Sequence, residues 1–282
     1  MRLRSLLFVP GDRPDRMEKA LGAGADALIL DLEDAVAPER KAEARDAVLA
    51  FLARDRTVPL FVRINPLDTE LANEDLIVVR ERPEGIVLPK CESFEDVRRL
   101  EMRLDFAGVF YEQNPLVLPI ATETPAAIFG LGSYAEVSER LAGLTWGAED
   151  LPAAIGAATS REEDGRYTPP YELARSLCLF GAAAAGVAPI ETVYPAFRDL
   201  DGLAAYAARA RRDGFTGMMA IHPAQVAVIN EAFTPSEAEI AHARAVVAAF
   251  EANPGAGALS LDGRMIDRPH LVQARRTLAA AD

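Results

Sequence analysis

The stretch SLLFVPGDRPDRMEKALGAGADALILD, residues 5–31, decides the fold of this chain. It begins with the apolar run Ser5–Val9 and continues through a polar loop into a helix-like segment at 15–22. A second apolar run, Ala27–Leu30, follows that segment. Two short apolar runs separated by a helix are typical of parallel strands joined by a crossover, so the stretch predicts a βαβ unit.

The same alternation of apolar run and helix recurs along most of the chain. Six further apolar runs are Leu60–Ile64, Gly85–Leu88, Leu116–Ile120, Leu141–Trp146, Pro189–Val193 and Gly217–Ile221. Helix-like segments lie between the runs, near 38–54, 71–82, 93–105, 125–140, 170–187 and 199–213. Eight strands alternating with helices fit a closed barrel better than an open sheet. We therefore predict an α/β protein with a (β/α)₈ TIM-barrel catalytic domain over residues 1–230.

The chain continues beyond the eighth apolar run. The sequence Thr234-Pro235-Ser236-Glu237 predicts a helix start, with Thr234 as the N-cap, a proline in the first turn and Glu237 closing a capping box. A last helix is predicted at QARRTLAAA. Residues 231–282 are therefore expected to form a C-terminal helical extension. This extension would act as a lid on its own barrel or on a neighbouring subunit's site.

Composition limits the classes of function. Half of the 282 residues are apolar and 26% are charged, as in a water-soluble globular chain. The formal charge of −13 argues against a nucleic-acid partner, because an acidic surface repels phosphate. Two cysteines form neither a disulfide framework nor a thiolate zinc site. The apolar runs are too short for a signal-peptide core or a membrane span, so we expect a cytoplasmic protein with no membrane partner.

Polar residues that follow the apolar runs are the first candidates for chemistry, because barrel active sites form at the carboxyl ends of the strands. Arg63 stands out in the otherwise apolar sequence LFVRINP. Its guanidinium could hold a substrate carboxylate through two hydrogen bonds. The alternative is a structural ion pair with a neighbouring acid such as Asp31 or Glu33.

Glu123 and Asp150 follow two strands that are neighbours in the barrel order. Two carboxylates, together with water and substrate oxygens, suit Mg²⁺, which prefers hard oxygen ligands. The alternative is that both carboxylates cap the helices that follow them, and Glu123 immediately precedes the helix start predicted at Thr124-Pro125. The residue pattern leaves the metal site and the two caps as alternatives.

Lys90 follows the fourth run and is one of three lysines in the chain. A lysine at a strand end could form a Schiff base with a carbonyl substrate. We favour the alternative, an ordinary salt bridge.

The three histidines have no metal-ligand spacing, and the sequence contains no G-x-S-x-G elbow, P-loop or dinucleotide-binding glycine motif.

Eight motifs in order, from Ser5 to about Pro269, resemble the citrate lyase β-subunit-like branch of the HpcH/HpaI aldolase/citrate lyase superfamily. No single motif is specific, but the combination covers almost the whole chain. The matching stretches are LLFVPGDRPDRMEKA, LILDLEDAV, FVRINP, IVLPK, ATETPAA, LTWGAEDL, AIHPAQV and MIDRP.

The resemblance implies roles for individual residues. It makes Arg63 the ligand of an oxo-acid carboxylate and Glu123 and Asp150 the Mg²⁺ ligands, and it leaves Lys90 without a chemical role. It implies that Asp267 is the acid–base residue, with Asp262 as the reserve candidate. Predicted substrate contacts also include Gly147, Ala148 and Glu149. Predicted coenzyme A contacts are Phe8, Arg13, Lys19, His222 and Pro223.

The activity implied by the resemblance is Mg²⁺-dependent cleavage of a carbon–carbon bond in a 3-hydroxyacyl-CoA thioester of the citryl-CoA type. The products would be an acyl-CoA and a 2-oxo acid, either oxaloacetate or glyoxylate. Alternatives on the same scaffold are a malyl-CoA or citramalyl-CoA lyase, a condensing enzyme like malate synthase, and a thioesterase. A CoA-independent metal aldolase and a non-catalytic binding protein are alternatives of other classes. A homotrimer or hexamer is expected, and citrate lyase-type partner subunits remain an alternative.

Overall fold

Eight parallel strands form the barrel in the computed structural model, which describes residues 1–106, 115–136 and 139–281. The strands are β1 (Ser5–Pro10), β2 (Ala27–Asp31), β3 (Leu60–Arg63), β4 (Gly85–Leu88), β5 (Leu116–Pro119), β6 (Gly143–Thr145), β7 (Ala188–Glu191) and β8 (Gly217–Ala220). Their hydrogen-bonded order is β5-β4-β3-β2-β1-β8-β7-β6, and parallel bridges from Val117 to Leu141 and from Ile120 to Thr145 join β5 to β6. The predicted TIM barrel is therefore confirmed.

Helices follow the strands as the alternation predicts. The segment predicted as one helix over 125–140 is instead an α-helix that ends at Gly130 and a 3₁₀ helix over Leu131–Glu136; positions 137 and 138 lie outside the described residues. Two glycines, Gly130 and Gly132, weaken the α-helix there. The α-helices are α1 (Pro14–Leu21), α2 (Lys41–Leu52), α3 (Glu70–Asp75), α4 (Phe94–Phe106), α5 (Pro125–Gly130), α6 (Leu151–Ile155), α7 (Pro169–Ala185), α8 (Leu200–Asp213) and α9 (Pro223–Ala232), with further 3₁₀ helices at Pro38–Arg40 and Leu76–Glu81.

The barrel interior is an apolar core. All five residues of β2 are buried, because helices cover the outer face of a parallel sheet and side chains fill its inner face. Gly85 on β4 leaves room for the ring of Phe61, which a Cβ atom at residue 85 would approach to 2.2 Å. The inner cluster contains Leu6, Ala27, Ile29, Phe61, Val87, Leu118, Ile120, Ile190 and Met219.

A second compact unit contains Met1–Arg2 and the chain from Glu231 onward, whereas Leu3–Asn230 forms the barrel unit. Its elements are α10 (Glu237–Glu251), β9 (Ala258–Leu261), β10 (Arg264–Asp267) and α11 (Arg268–Ala281). Residue 282, the last of the predicted extension, lies outside the described residues.

The N-cap of α10 lies two residues beyond the predicted position. Ser236, not Thr234, caps the helix, and Glu239, not Glu237, completes the capping box. The two positions share the same Ser/Thr-x-x-Glu spacing, so the local pattern alone did not distinguish them.

A β-hairpin that the sequence analysis did not predict interrupts the helices of this second unit. β9 and β10 pair in antiparallel fashion around Asp262 and Gly263, whose φ angles are 50° and 75°. Positive φ at both central residues is the requirement of the two-residue hairpin turn that Asp-Gly favours. No helix within the described ranges has both the length and the apolar character needed to cross a membrane.

Candidate active site

A cavity of about 290 Å³ opens at the carboxyl ends of the barrel strands. Strands β1 and β3 and the loops after β5 and β6 bring seven predicted residues to this cavity, and these are Phe8, Arg63, Glu123, Gly147, Ala148, Glu149 and Asp150. Arg16 and Thr192 also contribute to its wall, and neither was among the predicted site residues.

Arg63 ends β3 and is held tightly in the cavity wall. Its Nε and Nη2 atoms donate hydrogen bonds to Asp31 over 2.7 and 2.5 Å, and Nη1 lies 3.0 Å from Glu33 Oε2. The guanidinium carbon lies 4.8 Å from the ring centre of Phe8. Burial opposes the charge, but the two carboxylates outweigh it and raise the pKa of Arg63 above its usual value. The predicted ion pair is thus present, and Arg63 lines the cavity as well.

Glu123 is a buried carboxyl group that caps no helix. Only 3% of the residue is exposed, and Oε2 accepts a hydrogen bond from the backbone N–H of Lys90. The N-cap of α5 is Thr124, whose Oγ1 accepts from the N–H of Ala127 over 3.2 Å. Burial raises the pKa of Glu123 to about 8, against the effect of the Lys90 amide, and nearby Glu33 and Asp150 raise it further. The capping alternative is wrong for Glu123.

Asp150 precedes α6, yet its side chain makes no capping hydrogen bond. Its Oδ1 atom lies 3.4 Å from Lys90 Nζ. The loop that carries Asp150 approaches Glu123 closely at Gly147, where a Cβ atom would lie 2.5 Å from Glu123 Cγ. The N–H of Gly147 donates to Thr122 Oγ1 over 3.0 Å. A glycine at residue 147 therefore allows the two carboxyl-bearing segments to come together.

Lys90 forms the salt bridge that the sequence analysis favoured. Its Nζ lies 2.7 Å from Glu33 Oε1, and its backbone has a φ of 50°, which is uncommon for a residue other than glycine. Burial opposes the ammonium charge, but the bond to Glu33 outweighs it and raises the pKa of Lys90. Because a Schiff base requires a neutral amine, this arrangement disfavours the Schiff-base alternative.

A second buried lysine supports the site from behind. Lys41 Nζ donates to the carbonyl oxygens of Leu32 and Glu33, each over 2.7 Å, and to Asn65 Oδ1 over 2.9 Å. Burial lowers the pKa of Lys41. These bonds fix the loop after β2, which presents Glu33 to Arg63 and Lys90. The sequence analysis assigned no role to Lys41, because its partners lie on two other segments, the loop after β2 and the loop after β3.

The donor set fits a hydrated divalent cation. Glu123 and Asp150 both line the cavity, and the bond from the Lys90 amide reaches only one oxygen of Glu123. No group of three His, Cys, Asp or Glu side chains within the described ranges is arranged around a common metal position. The chain therefore offers two carboxylates, and water or a substrate would supply the other oxygens, as is usual for Mg²⁺.

Four of the five predicted coenzyme A contacts lie outside the cavity wall. Arg13 pairs with Asp15 over 2.9 Å, and Lys19 is exposed on α1. His222 is exposed and stacks on Phe197, with ring centres 4.9 Å apart, and Pro223 begins α9. On α1 the cavity residue is Arg16, which the sequence analysis did not select.

Asp267 and Asp262 lie in the second unit and differ in environment. Asp267 ends β10, and its Oδ1 is 2.5 Å from His270 Nδ1. This contact is the main cause of the lowered pKa of Asp267, which therefore remains a carboxylate at neutral pH. Asp262 occupies the hairpin turn. The turn geometry accounts for Asp262 and leaves Asp267 as the stronger acid–base candidate.

Comparison with known proteins gives consistent matches over the whole chain. Residues 4–223 match the HpcH/HpaI aldolase/citrate lyase family. A (3S)-malyl-CoA thioesterase of Cereibacter sphaeroides (strain ATCC 17025) is 36% identical, over 99% of this chain and 94% of the relative. The citrate lyase subunit beta of Escherichia coli (strain K12) is 35% identical, over 99% of this chain and 93% of the relative.

A solved structure resembles the fold over nearly its full length. The CitE protein of Mycobacterium tuberculosis, in complex with magnesium, acetoacetate and coenzyme A, superposes with a TM-score of 0.81 and is 34% identical. The match covers 99% of this chain and 98% of that protein.

Proposed function

The chain belongs to the HpcH/HpaI aldolase/citrate lyase family, and on that premise we propose that it is an Mg²⁺-dependent carbon–carbon lyase. The proposed substrate is a 3-hydroxyacyl-CoA thioester of the citryl-CoA type, and the products are an acyl-CoA and a 2-oxo acid such as oxaloacetate. One observation carries the proposal. A single cavity contains Arg63 together with Glu123 and Asp150, two carboxyl groups that cap no helix.

Glu123 and Asp150 are the residues that would hold the metal. When bound, Mg²⁺ supplies Lewis-acid stabilisation of negative charge on the substrate oxygens. The protein contributes the position of the two carboxylates: Gly147 admits Glu123 against the loop, and the Lys90 amide orients one Glu123 oxygen.

Arg63 binds the carboxylate of the 2-oxo acid in this proposal. Two of its five N–H donors are committed to Asp31, which fixes the plane of the guanidinium before a substrate arrives. A preoriented cation in a buried wall stabilises an anion more than a mobile one in water does. Arg63 thereby places the oxo-acid portion beside Glu123 and Asp150, together with Gly147, Ala148 and Glu149 of the cavity wall.

Asp267 exchanges a proton with the CoA-derived carbon. Its lowered pKa keeps it as a carboxylate, the form that accepts a proton from an acyl-CoA in the condensation direction. In the cleavage direction a base takes the proton of the substrate hydroxyl, and the protonated form of Asp267 delivers a proton to the CoA-derived carbon. We propose a cytoplasmic homotrimer or hexamer as the working assembly, in which Asp267 serves its own site or a neighbour's.

The coenzyme A portion is assigned to α1 and to the start of α9. Arg13, Arg16 and Lys19 lie on or beside α1, where they alternate with Asp12, Asp15 and Glu18. Their guanidinium and ammonium groups are the donors that would bind the phosphate oxygens. Phe8, His222 and Pro223 add apolar and aromatic surface for the remainder of the cofactor.

Thioester hydrolysis is the second candidate function. It is favoured by the (3S)-malyl-CoA thioesterase that shares 36% identity with this chain. A water molecule in the same cavity would then release free CoA, with Arg63 and the two carboxylates in the same positions.

An assay with Mg²⁺ and citryl-CoA, malyl-CoA and citramalyl-CoA separates these functions. Equal amounts of acyl-CoA and 2-oxo acid from one thioester are expected for the lyase. Free CoA without oxo acid would establish the thioesterase. If none of the thioesters reacts, although oxaloacetate binds in an Mg²⁺-dependent manner, the substrate is bound to an acyl-carrier subunit. Cleavage of CoA-free hydroxy acids would identify a metal aldolase instead.

The role of Asp267 is tested by comparing Asp267→Asn with Asp262→Asn, because asparagine is accepted in the hairpin turn. Asp267→Asn is expected to lower turnover by about a hundredfold or more, the range of a lost general acid–base, while Mg²⁺ binding persists. Asp262→Asn is expected to keep wild-type turnover. Equal activities of the two variants would remove Asp267 from the mechanism.

A further inference from the structure

Lys90 contacts both proposed metal ligands, although the resemblance to the family assigns it no role. Its backbone N–H donates to Glu123 Oε2, and its ammonium group lies 3.4 Å from Asp150 Oδ1. The same ammonium group lies 2.7 Å from Glu33 Oε1. A single residue thus connects three carboxyl groups that come from the loops after β2, β5 and β6.

The backbone of Lys90 holds this arrangement in place. A φ of 50° at a lysine is unfavourable and persists only where surrounding contacts enforce it. Here the contacts are the amide bond to Glu123 and the ion pair to Glu33, both formed by Lys90 itself. The ammonium group is therefore held at the carboxyl groups.

We propose that Lys90 is a resident cation: its positive charge partly neutralises the carboxyl groups that would hold the metal, and it thereby lowers the affinity of the free protein for Mg²⁺. This inference rests on the proposed function, because it takes Glu123 and Asp150 as the metal ligands. Lys90 Nζ lies 3.4 Å from Asp150 Oδ1, so Mg²⁺ held by Asp150 would have the ammonium group as a close neighbour. Two neighbouring cations in a partly buried site would repel one another strongly.

A second consequence concerns the order of binding. The charge of Lys90 disfavours the metal alone, but an anionic 2-oxo acid offsets that charge. The metal and the acid therefore bind with positive coupling, and each raises the affinity of the site for the other. Lys90 makes the metal enter the cavity mainly together with its substrate.

Calorimetric titration of the full-length protein with Mg²⁺ tests the proposal. Lys90→Met removes the charge, and its Mg²⁺ affinity is expected to exceed that of the wild type on the order of tenfold. Lys90→Arg keeps the charge and is expected to bind Mg²⁺ as weakly as the wild type. Arg80→Met is the matched control, because exposed Arg80 precedes β4 whereas Lys90 follows it. If Lys90→Met does not fold, as judged by thermal melting, Lys90→Gln takes its place.

Adding oxaloacetate to the same titrations measures the coupling. The acid is expected to raise the Mg²⁺ affinity of the wild type more than that of Lys90→Met. An Mg²⁺ affinity of Lys90→Met equal to or weaker than that of the wild type would overturn the proposal. So would equal affinities of Lys90→Met and Lys90→Arg.

Failure of the proposed function gives a different result. If Glu123→Gln binds Mg²⁺ as well as the wild type does, the metal is not at this site and both proposals fail. If Glu123→Gln abolishes binding and Lys90→Met does not strengthen it, only the resident-cation proposal fails.

Discussion

Two buried carboxyl groups of the barrel, Glu123 and Glu191, are equally shielded from water but differ in their partners. Glu191 is fully buried at the end of β7 and accepts bonds from Trp146 Nε1, from the Thr192 N–H and Tyr206 OH over 2.9 Å each, and from Arg175 Nε over 2.7 Å. Among the residues that the structure describes, Glu123 accepts one hydrogen bond, from the backbone N–H of Lys90.

This difference in partners distinguishes a carboxyl group that stabilises the fold, Glu191, from one that is available to bind a ligand, Glu123. A buried carboxylate stays charged without penalty only when hydrogen bonds and a counter-charge replace its hydration. The donors around Glu191 do so within the protein, so this group holds strands and helices together. The donors around Glu123 do not, so this site gains free energy when an outside cation binds.

The largest expected effect comes from neutralising Glu123. Glu123→Gln keeps the size of the side chain and removes a proposed metal ligand, so turnover should fall by at least about a thousandfold. Thermal unfolding should change little, because a buried, poorly paired carboxyl group adds little stability. Steady-state kinetics and thermal melts of the same preparation check both statements. A variant that keeps wild-type turnover would show that Glu123 is not a metal ligand.

The same substitution at Glu191 should act on stability instead. Glu191→Gln breaks the buried pair with Arg175 and leaves Asp213 as the remaining carboxylate partner of that guanidinium, so the expected loss is up to about 3–5 kcal/mol of unfolding free energy. Urea denaturation measures the loss. Tyr206→Phe, which removes one neutral donor to Glu191, should cost only about 1 kcal/mol. Similar losses for the two variants would show that the charge of Glu191 is unimportant for the fold.

A smaller effect is expected at Gly147, whose backbone packs against the Glu123 side chain. Gly147→Ala places a methyl group 2.5 Å from Glu123 Cγ, so the carboxyl group must move by several tenths of an ångström or more. Mg²⁺ affinity should fall by about tenfold, as for other changes that disturb the support of a metal ligand. Gly132→Ala is the control, because no atom lies within 4 Å of the added methyl group there. A wild-type Mg²⁺ affinity for Gly147→Ala would mean that the Glu123 side chain tolerates displacement.

The pattern of the sequence predicted the barrel because that pattern is local. Apolar runs such as Ala27–Leu30 and Gly85–Leu88 became strands within one residue of their predicted ends. The Thr124-Pro125 signal became an N-cap with the expected bond to Ala127. The hairpin of the second unit was missed, because β9 alternates between exposed and half-buried residues, β10 buries only Ile266, and neither strand carries a strong apolar signal.

Sequence alone predicted that Arg63, Glu123 and Asp150 gather at one cavity, because the carboxyl ends of parallel strands share one end of the barrel. It left open whether Glu123 and Asp150 cap helices and whether Lys90 is a nucleophile. Only the tertiary structure decided these questions, since the deciding contacts join Lys90 to Glu123, 33 residues away, and to Glu33, 57 residues away. Charge state and pairing depend on burial and on neighbours from other strands, which no local pattern contains.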